Sequence, residues 1–222
     1  AGTTGESATL EKNEHAELIM RAVEMVRRRL PVIAGTGSNS TRQTVELSRL
    51  VGKSAIDAYL LVTPYYNKPV QEGIFRHFSA VADAVDKPVM LYNVPGRTVA
   101  DTLPETVARL ARHPRIFGIK EATGDMNRLR RIRELAGDDF MLYSGDDFTA
   151  REFIELGGHG VVTVTGNAAP ALIESLKESD PFVLASVLRA LKQLRVKDAL
   201  PHALNLLQHD DPAVRRVVFW YD

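Results

Sequence analysis

Short apolar runs alternate along this chain with longer stretches in which apolar residues recur every three or four positions. The runs lie in Pro31–Ala34, Ala58–Val62, Val89–Tyr92, Ile116–Lys120, Phe140–Tyr143 and Gly160–Val164. Between them, spacings such as His15, Leu18, Ile19, Ala22, Val23 and Val26 mark one face of a helix. The pattern predicts strands beginning near Ala1–Thr3, Val32, Tyr59, Val89, Ile116, Met141 and Val161. It predicts helices over about His15–Val26, Arg42–Val51, Gln71–Val85, Pro104–Arg112, Met126–Ala136 and Phe148–Leu156. Arg27, Arg28 and Arg29 close the first helix, where cations suit its dipole. Pro104 stands where a helix start tolerates proline. Strands alternating with helices of this length mean parallel βαβ units.

Polar, chemistry-bearing residues collect just after the strands. A (β/α)8 barrel keeps its active site at that end. Lys120 closes the run Phe117-Gly118-Ile119. A lysine there either carries its amine to solvent or sits in a closed pocket. In the pocket, burial disfavours the charged form and leaves an amine able to attack a carbonyl. Tyr92 closes the run Pro88–Leu91 and is followed by Asn93-Val94-Pro95-Gly96-Arg97-Thr98. Val62-Thr63-Pro64-Tyr65-Tyr66-Asn67 and Gly2-Thr3-Thr4-Gly5-Glu6-Ser7 are two further strand-end segments. Each has a plain reading beside the chemical one: Tyr92 as packing, Arg97 as a surface cation, Thr3 and Thr4 as turn caps. Gly35-Thr36-Gly37 does not complete a dinucleotide fingerprint and reads as a strand-to-loop turn.

Composition narrows the chemistry. The chain has 222 residues, 45% of them hydrophobic, which suits one domain or two small ones. Lys+Arg and Asp+Glu number 28 each, so charge makes no case for nucleic acid or an acidic membrane surface. Cysteine is absent, which excludes disulfides, thiolate catalysis and cysteine-ligated metal. The six histidines fall on separate elements without ligand spacing. Glu6, Glu121, Asp146 and Asp147 stand at strand ends but form no metal motif, so no metal and no cofactor is expected. No apolar run reaches about 18 residues, and no signal-like segment is visible, so a cytoplasmic protein is expected. The chain starts at Ala1 without Met, with its first motif already under way, which reads as a cut N-terminus.

With all four motifs in order from about Gly2 to Pro170, the chain resembles the Schiff-base-forming class I pyruvate aldolases and lyases, most closely the dihydrodipicolinate synthase family. The resemblance implies a (β/α)8 TIM barrel whose first strand and helix are absent here, leaving strands two to eight over residues 1–169. It implies that Lys120 attacks pyruvate, and that the resulting enamine condenses with aspartate semialdehyde. Tyr92 would be the general acid and base, with Thr4 and Tyr66 completing a hydroxyl relay. Thr3 and Thr4 would hold the pyruvate carboxylate and Arg97 that of the aldehyde. Gly145 and Val162 would line the pocket. Tyr66 would reach a neighbouring subunit, so a homo-oligomer is implied. Ala8, His15, Asn39 and Tyr65 match a lysine effector site. Lys12 and Gln43 depart from the inhibitor-sensitive pattern there, and Gln43 lacks the carboxylate that would capture an ammonium group. Two alternatives stand beside this reading. One is a sibling aldolase acting on N-acetylneuraminate or keto-sugar acids. The other is a non-catalytic scaffold, since a barrel short of a strand exposes two sheet edges.

From Ala168 the pattern changes. Pro201 and Pro212 follow Pro170 and Pro181 at a constant offset of 31 residues, as Leu207 and Val214 follow Leu176 and Val183. The offset marks a repeat of paired helices, with Asp-Pro restarting the second of each pair. Residues 170–222 resemble HEAT repeats, and the chain reads as a fusion joined near Asn167–Ala171. The repeat predicts two antiparallel helix pairs with Leu172, Leu176, Val183, Val187, Leu204, Leu207, Val214 and Val218 facing inward. Backbone chemical shifts should be helical across those positions; extended shifts there would contradict the repeat.

Overall fold

The structure is a computed structural model that describes residues 2–164. Thirteen elements follow a pair of 3-10 turns at Thr3–Gly5 and Ser7–Thr9. They are α1 (Lys12–Val26), β1 (Ile33–Gly35), α2 (Thr41–Gly52), β2 (Ala58–Val62), α3 (Gln71–Ala84), β3 (Val89–Asn93), α4 (Pro95–Thr98), α5 (Pro104–Leu110), β4 (Ile116–Glu121), α6 (Met126–Ala136), β5 (Met141–Ser144), α7 (Ala150–Glu155) and β6 (Gly160–Val161). The six strands form one sheet in sequence order, and every pair is parallel. This is the βαβ architecture that the alternating pattern predicts.

Local chemistry sets the boundaries. Ser40 caps α2 by accepting from the Gln43 N–H, and Asp125 caps α6 by accepting from the Asn127 N–H at 2.9 Å. Pro95 and Pro104 open α4 and α5, where a missing N–H costs nothing. Gly137 ends α6 at φ +86°, a conformation that favours glycine. β3 is buried along its whole length and β4 nearly so, whereas one face of β1, β2 and β5 keeps partial or full exposure at Ile33, Gly35, Leu60, Val62, Met141 and Tyr143. Leu61, Leu91, Ile119 and Leu142 pack with Val51, Phe78, Val107 and Ile132 of the helices and are essentially inaccessible. The alternate residues, among them Met90 and Tyr92 of β3 and Lys120 of β4, point to the other side, the lumen.

One expectation fails at the start of the chain. The strand predicted near Ala1–Thr3 is not formed: Gly2 is extended, but Thr3–Gly5 winds into a 3-10 turn closed by Gly5 N–H to Gly2 O and Glu6 N–H to Thr3 O. Gly-Thr-Thr-Gly is turn-forming chemistry, and its local bonds use the groups a strand would have offered to β1. The sheet therefore has six strands among the described residues, and β1 is its first. The helix-pair reading of residues 170–222 lies outside the described residues. No helix among the described residues is long and apolar enough to cross a membrane.

His77 of α3 is buried against the start of α2. Its Nδ1 is 2.8 Å from Thr41 Oγ1, and its Nε2 has no hydrogen-bond partner. Burial pushes its pKa down to about 4. The unfolded histidine holds its proton at higher pH, so the folded state loses stability as pH falls from about 6.5 towards 4. That loss is about 3 kcal/mol. Urea unfolding should show it in the native protein but not in His77→Phe; equal pH dependence in both would contradict the assignment.

Candidate active site

Lys120 and Tyr92 occupy one rung of the sheet. They are register partners on β4 and β3, with Tyr143 next along on β5. Side chains on one rung of a parallel sheet leave on the same face. The Lys120 ammonium nitrogen lies 4.2 Å from the centroid of the Tyr92 ring. Lys120 is only 8% exposed, and Tyr92 is buried. Burial pushes the Lys120 amine below the usual lysine range, and the Asp147 carboxylate pulls partly against that shift. An aromatic face stabilises an ammonium, while the phenolic oxygen at the ring's edge can give or accept a proton. Burial favours the neutral, nucleophilic amine, and the Asp147 carboxylate tempers that effect.

Gly145 makes this position possible. It follows β5 immediately, and its N–H donates to Glu121 O at 2.7 Å, locking the β5 end to the β4 end. A Cβ placed at Gly145 would stand 2.7 Å from Lys120 Cε and from Ala122 Cβ. The lysine stem passes through the space that any larger residue would fill. Val162, at the start of the segment after β6, is half-buried and donates its N–H to Ser144 O at 2.8 Å.

A chain of contacts leads outward from the rung. Tyr92 shares a small void with Thr3, Gly35, Gly37 and Val62. Thr3 also lines a cleft of about 310 Å³ with Val62, Tyr65, Tyr66, Arg97 and Val99. Thr3 is thus common to the inner void and the outer cleft. Thr4, the expected relay member, is exposed and lines neither. The 3-10 turn decides which of the two adjacent threonines faces inward. Arg97 projects from α4, a single turn that the periodicity is too short to reveal. Tyr66 is 84% exposed and held at φ +74°. A bulky aromatic in that region is strained, and such strain clusters at functional segments.

The residues matched to an effector site also converge in part. Ala8, His15 and Tyr65 line a second cleft of about 320 Å³, together with Lys12, Gln43 and Glu46. Asn39 is half-buried, one residue ahead of the α2 cap, and does not line it. Lys12 places its ammonium in this cleft, 3.3 Å from Glu46 Oε2. Burial pushes the His15 pKa down, while a hydrogen bond with the Gly35 backbone pulls it back.

Sequence reasoning missed a polar cluster behind the rung. Glu121 is buried and bonded to Asn93, Arg128 and the Thr123 N–H. In the sequence Glu121 showed only as one of several strand-end carboxylates, directly after the lysine.

Comparison with known proteins now places the chain. Residues 1–181 match the Dihydrodipicolinate synthetase family. The chain belongs to that family. The match runs past the Asn167–Ala171 junction, and a second match, to HEAT repeats, covers residues 166–221. Among curated family members, the 4-hydroxy-tetrahydrodipicolinate synthase of Alcanivorax borkumensis is 57% identical over 190 residues, covering 86% of this chain and 65% of the relative. That of Pseudomonas aeruginosa is 57% identical over 175 residues, covering 79% and 60%. The chain thus spans less than two thirds of these relatives. Among solved structures, a chloride-inhibited dihydrodipicolinate synthase from Acinetobacter baumannii, complexed with pyruvate, has a TM-score of 0.75 at 42% identity, covering 97% of this chain and 72% of that one. A monomeric dihydrodipicolinate synthase variant matches at TM-score 0.75 and 34% identity, covering 99% and 83%. The parallel sheet described above is thus a half-barrel of the family's fold.

Gly145→Ala should displace the Lys120 stem. Stability should fall by about 1–3 kcal/mol from overpacking. Reaction of the Lys120 amine with carbonyl reagents should fall about 10- to 100-fold. Unchanged reactivity would mean that Gly145 does not shape the pocket.

Proposed function

We propose that the chain is a Schiff-base-forming lyase that condenses pyruvate with aspartate semialdehyde to 4-hydroxy-tetrahydrodipicolinate, a cytoplasmic step towards diaminopimelate and lysine. The observation that carries this reading is the buried Lys120 amine stacked on the Tyr92 ring. In this reading the amine attacks the pyruvate ketone and water leaves, giving an iminium. The iminium draws electrons from the adjacent methyl group, which loses a proton and becomes an enamine nucleophile. The enamine carbon then bonds to the aldehyde carbon. Tyr92 moves the protons, with Thr3, Thr4 and Tyr66 connecting it to solvent. Thr3 fits the inner end of that relay better than Thr4, because Thr3, like Ser7, lines both the void beside Tyr92 and the outer cleft. Arg97 holds the carboxylate of the aldehyde substrate by a two-pronged contact, and Gly145 and Val162 shape the pocket wall. Exposed, strained Tyr66 completes the site of a second copy, so the active form is a homo-oligomer. The Lys12–Glu46 pair in the second cleft weakens binding of a lysine effector by Ala8, His15, Asn39 and Tyr65. Residues 1–169 are read as a partial barrel, of which the described residues hold six strands. Residues 170–222 are read as HEAT-like helix pairs, supported by the match to HEAT repeats and by the 31-residue offset.

One feature favours a second reading, a non-catalytic module. β1 has no neighbour on its outer side among the described residues. Borohydride trapping separates the two. With millimolar pyruvate, reduction should add the pyruvate-derived mass to Lys120 and to no other lysine. Lys120→Arg should abolish the adduct, because a guanidinium stays protonated. Tyr92→Phe should slow trapping by about 10²- to 10⁴-fold without abolishing it. No adduct on the unaltered chain would favour the non-catalytic reading.

A further inference from the structure

Behind the rung that holds Lys120 and Tyr92 lies a second rung, formed by Glu121 and Asn93. Consecutive strand residues leave opposite faces. The first pair therefore faces the lumen and the second faces the helices, back to back on the same two strand ends. The Asn93 amide donates to both Glu121 oxygens, at 3.3 and 3.2 Å, and to Asp101 Oδ1 at 2.9 Å. Its own oxygen accepts from the Thr102 N–H at 3.0 Å. Arg128 of α6 reaches back with Nε 3.3 Å from Glu121 Oε2, Nη1 3.0 Å from Asp101 Oδ2 and Nη2 2.7 Å from Thr102 O. The Thr123 N–H closes the set on Glu121 Oε1 at 3.0 Å.

We propose that Glu121, with Asn93 and Arg128, is a positioning residue for Lys120: the cluster clamps the ends of β3 and β4 from the helix side, so that the amine stays stacked on Tyr92 in the lumen. Three kinds of donor converge on one carboxylate that is only 3% exposed. Burial drives the Glu121 pKa upward and the Arg128 guanidinium opposes that shift. A buried carboxylate with its cation is a costly device for stability alone, since apolar residues of similar volume often replace such a pair without loss. It does fix geometry, because each bond has a direction and a length. The bonds tie three separate segments together: the β3 end with the Asp101–Thr102 loop, the β4 end, and α6. Glu121 and Asn93 leave the strands on the face opposite Lys120 and Tyr92, so their influence on the amine passes through the strand ends.

The inference rests on the Schiff-base reading only in what the clamp is for; its test does not require pyruvate. Competitive acetylation of the full chain with acetic anhydride, from about pH 6 to pH 11, reports each lysine's midpoint and nucleophilicity by peptide mass spectrometry. Lys53 and Lys68 serve as internal standards. Loosening the clamp admits water to the rung, and the amine moves back towards its ordinary range. Glu121→Gln and Arg128→Met should both raise the Lys120 midpoint, and both should cut its acetylation near pH 8 about tenfold. A purely electrostatic role gives opposite signs: losing the anion lowers the midpoint and losing the cation raises it. Opposite shifts, or no shift in either variant, would overturn the proposal. If circular dichroism shows either variant unfolded, Glu121→Asp and Arg128→Lys keep the charges while moving the contact points. They should show the same rise, and its absence would equally overturn the clamp. A depressed Lys120 midpoint in the unaltered chain without any pyruvate adduct would sink the Schiff-base reading and leave the clamp standing.

Discussion

The structure depends on keeping one amine dry. Lys120 stands at the end of an apolar strand with an aromatic face on one side, a glycine on the other and helices sealing the back of the sheet. A lysine whose folded pKa lies below its unfolded one destabilises the fold as pH drops below its ordinary range. The surroundings must therefore offset that cost. The sealed layer of Leu91, Ile119, Leu142 and Phe78 contributes much of the compensation, because each is fully removed from water. The same strand ends carry a buried carboxylate on the opposite face. One parallel pair of strands thus holds two ionisable side chains away from water, facing in opposite directions.

Much of this was legible in the sequence, for reasons that particular residues make clear. Ala58–Val62, Val89–Asn93, Ile116–Glu121 and Met141–Ser144 stand out as apolar runs because one face of each packs under the helices, and β3 and nearly all of β4 are buried on both faces. Lys120 and Tyr92 were visible because each terminates such a run with a polar group. Their pairing comes from the parallel register of β3 and β4, which places Tyr92 opposite Lys120. Arg97 and Tyr66 were visible only through the order of motifs, since the clefts they line are built from loops with no periodicity.

What the sequence did not show was decided by short-range geometry and long-range contacts. Two adjacent threonines are equivalent on paper. A 3-10 turn turns Thr3 inward and leaves Thr4 to solvent, and the same turn removes the strand expected there. The role of Gly145 depends on the path of a side chain 25 residues away, which no local pattern encodes. The Glu121 cluster joins residues from three segments, so its members look like unrelated surface charges until the strands are paired.

The most direct measurement is a titration of Lys120 itself, by ¹⁵Nζ or ¹³Cε chemical shift, with Lys120→Met assigning the signal. A buried amine against Tyr92 should titrate below about 10.4, the ordinary lysine value, and Gly145→Ala should move that midpoint. A Lys120 that titrates at or above the ordinary value, together with the other lysines, would contradict the buried nucleophile on which the functional reading rests.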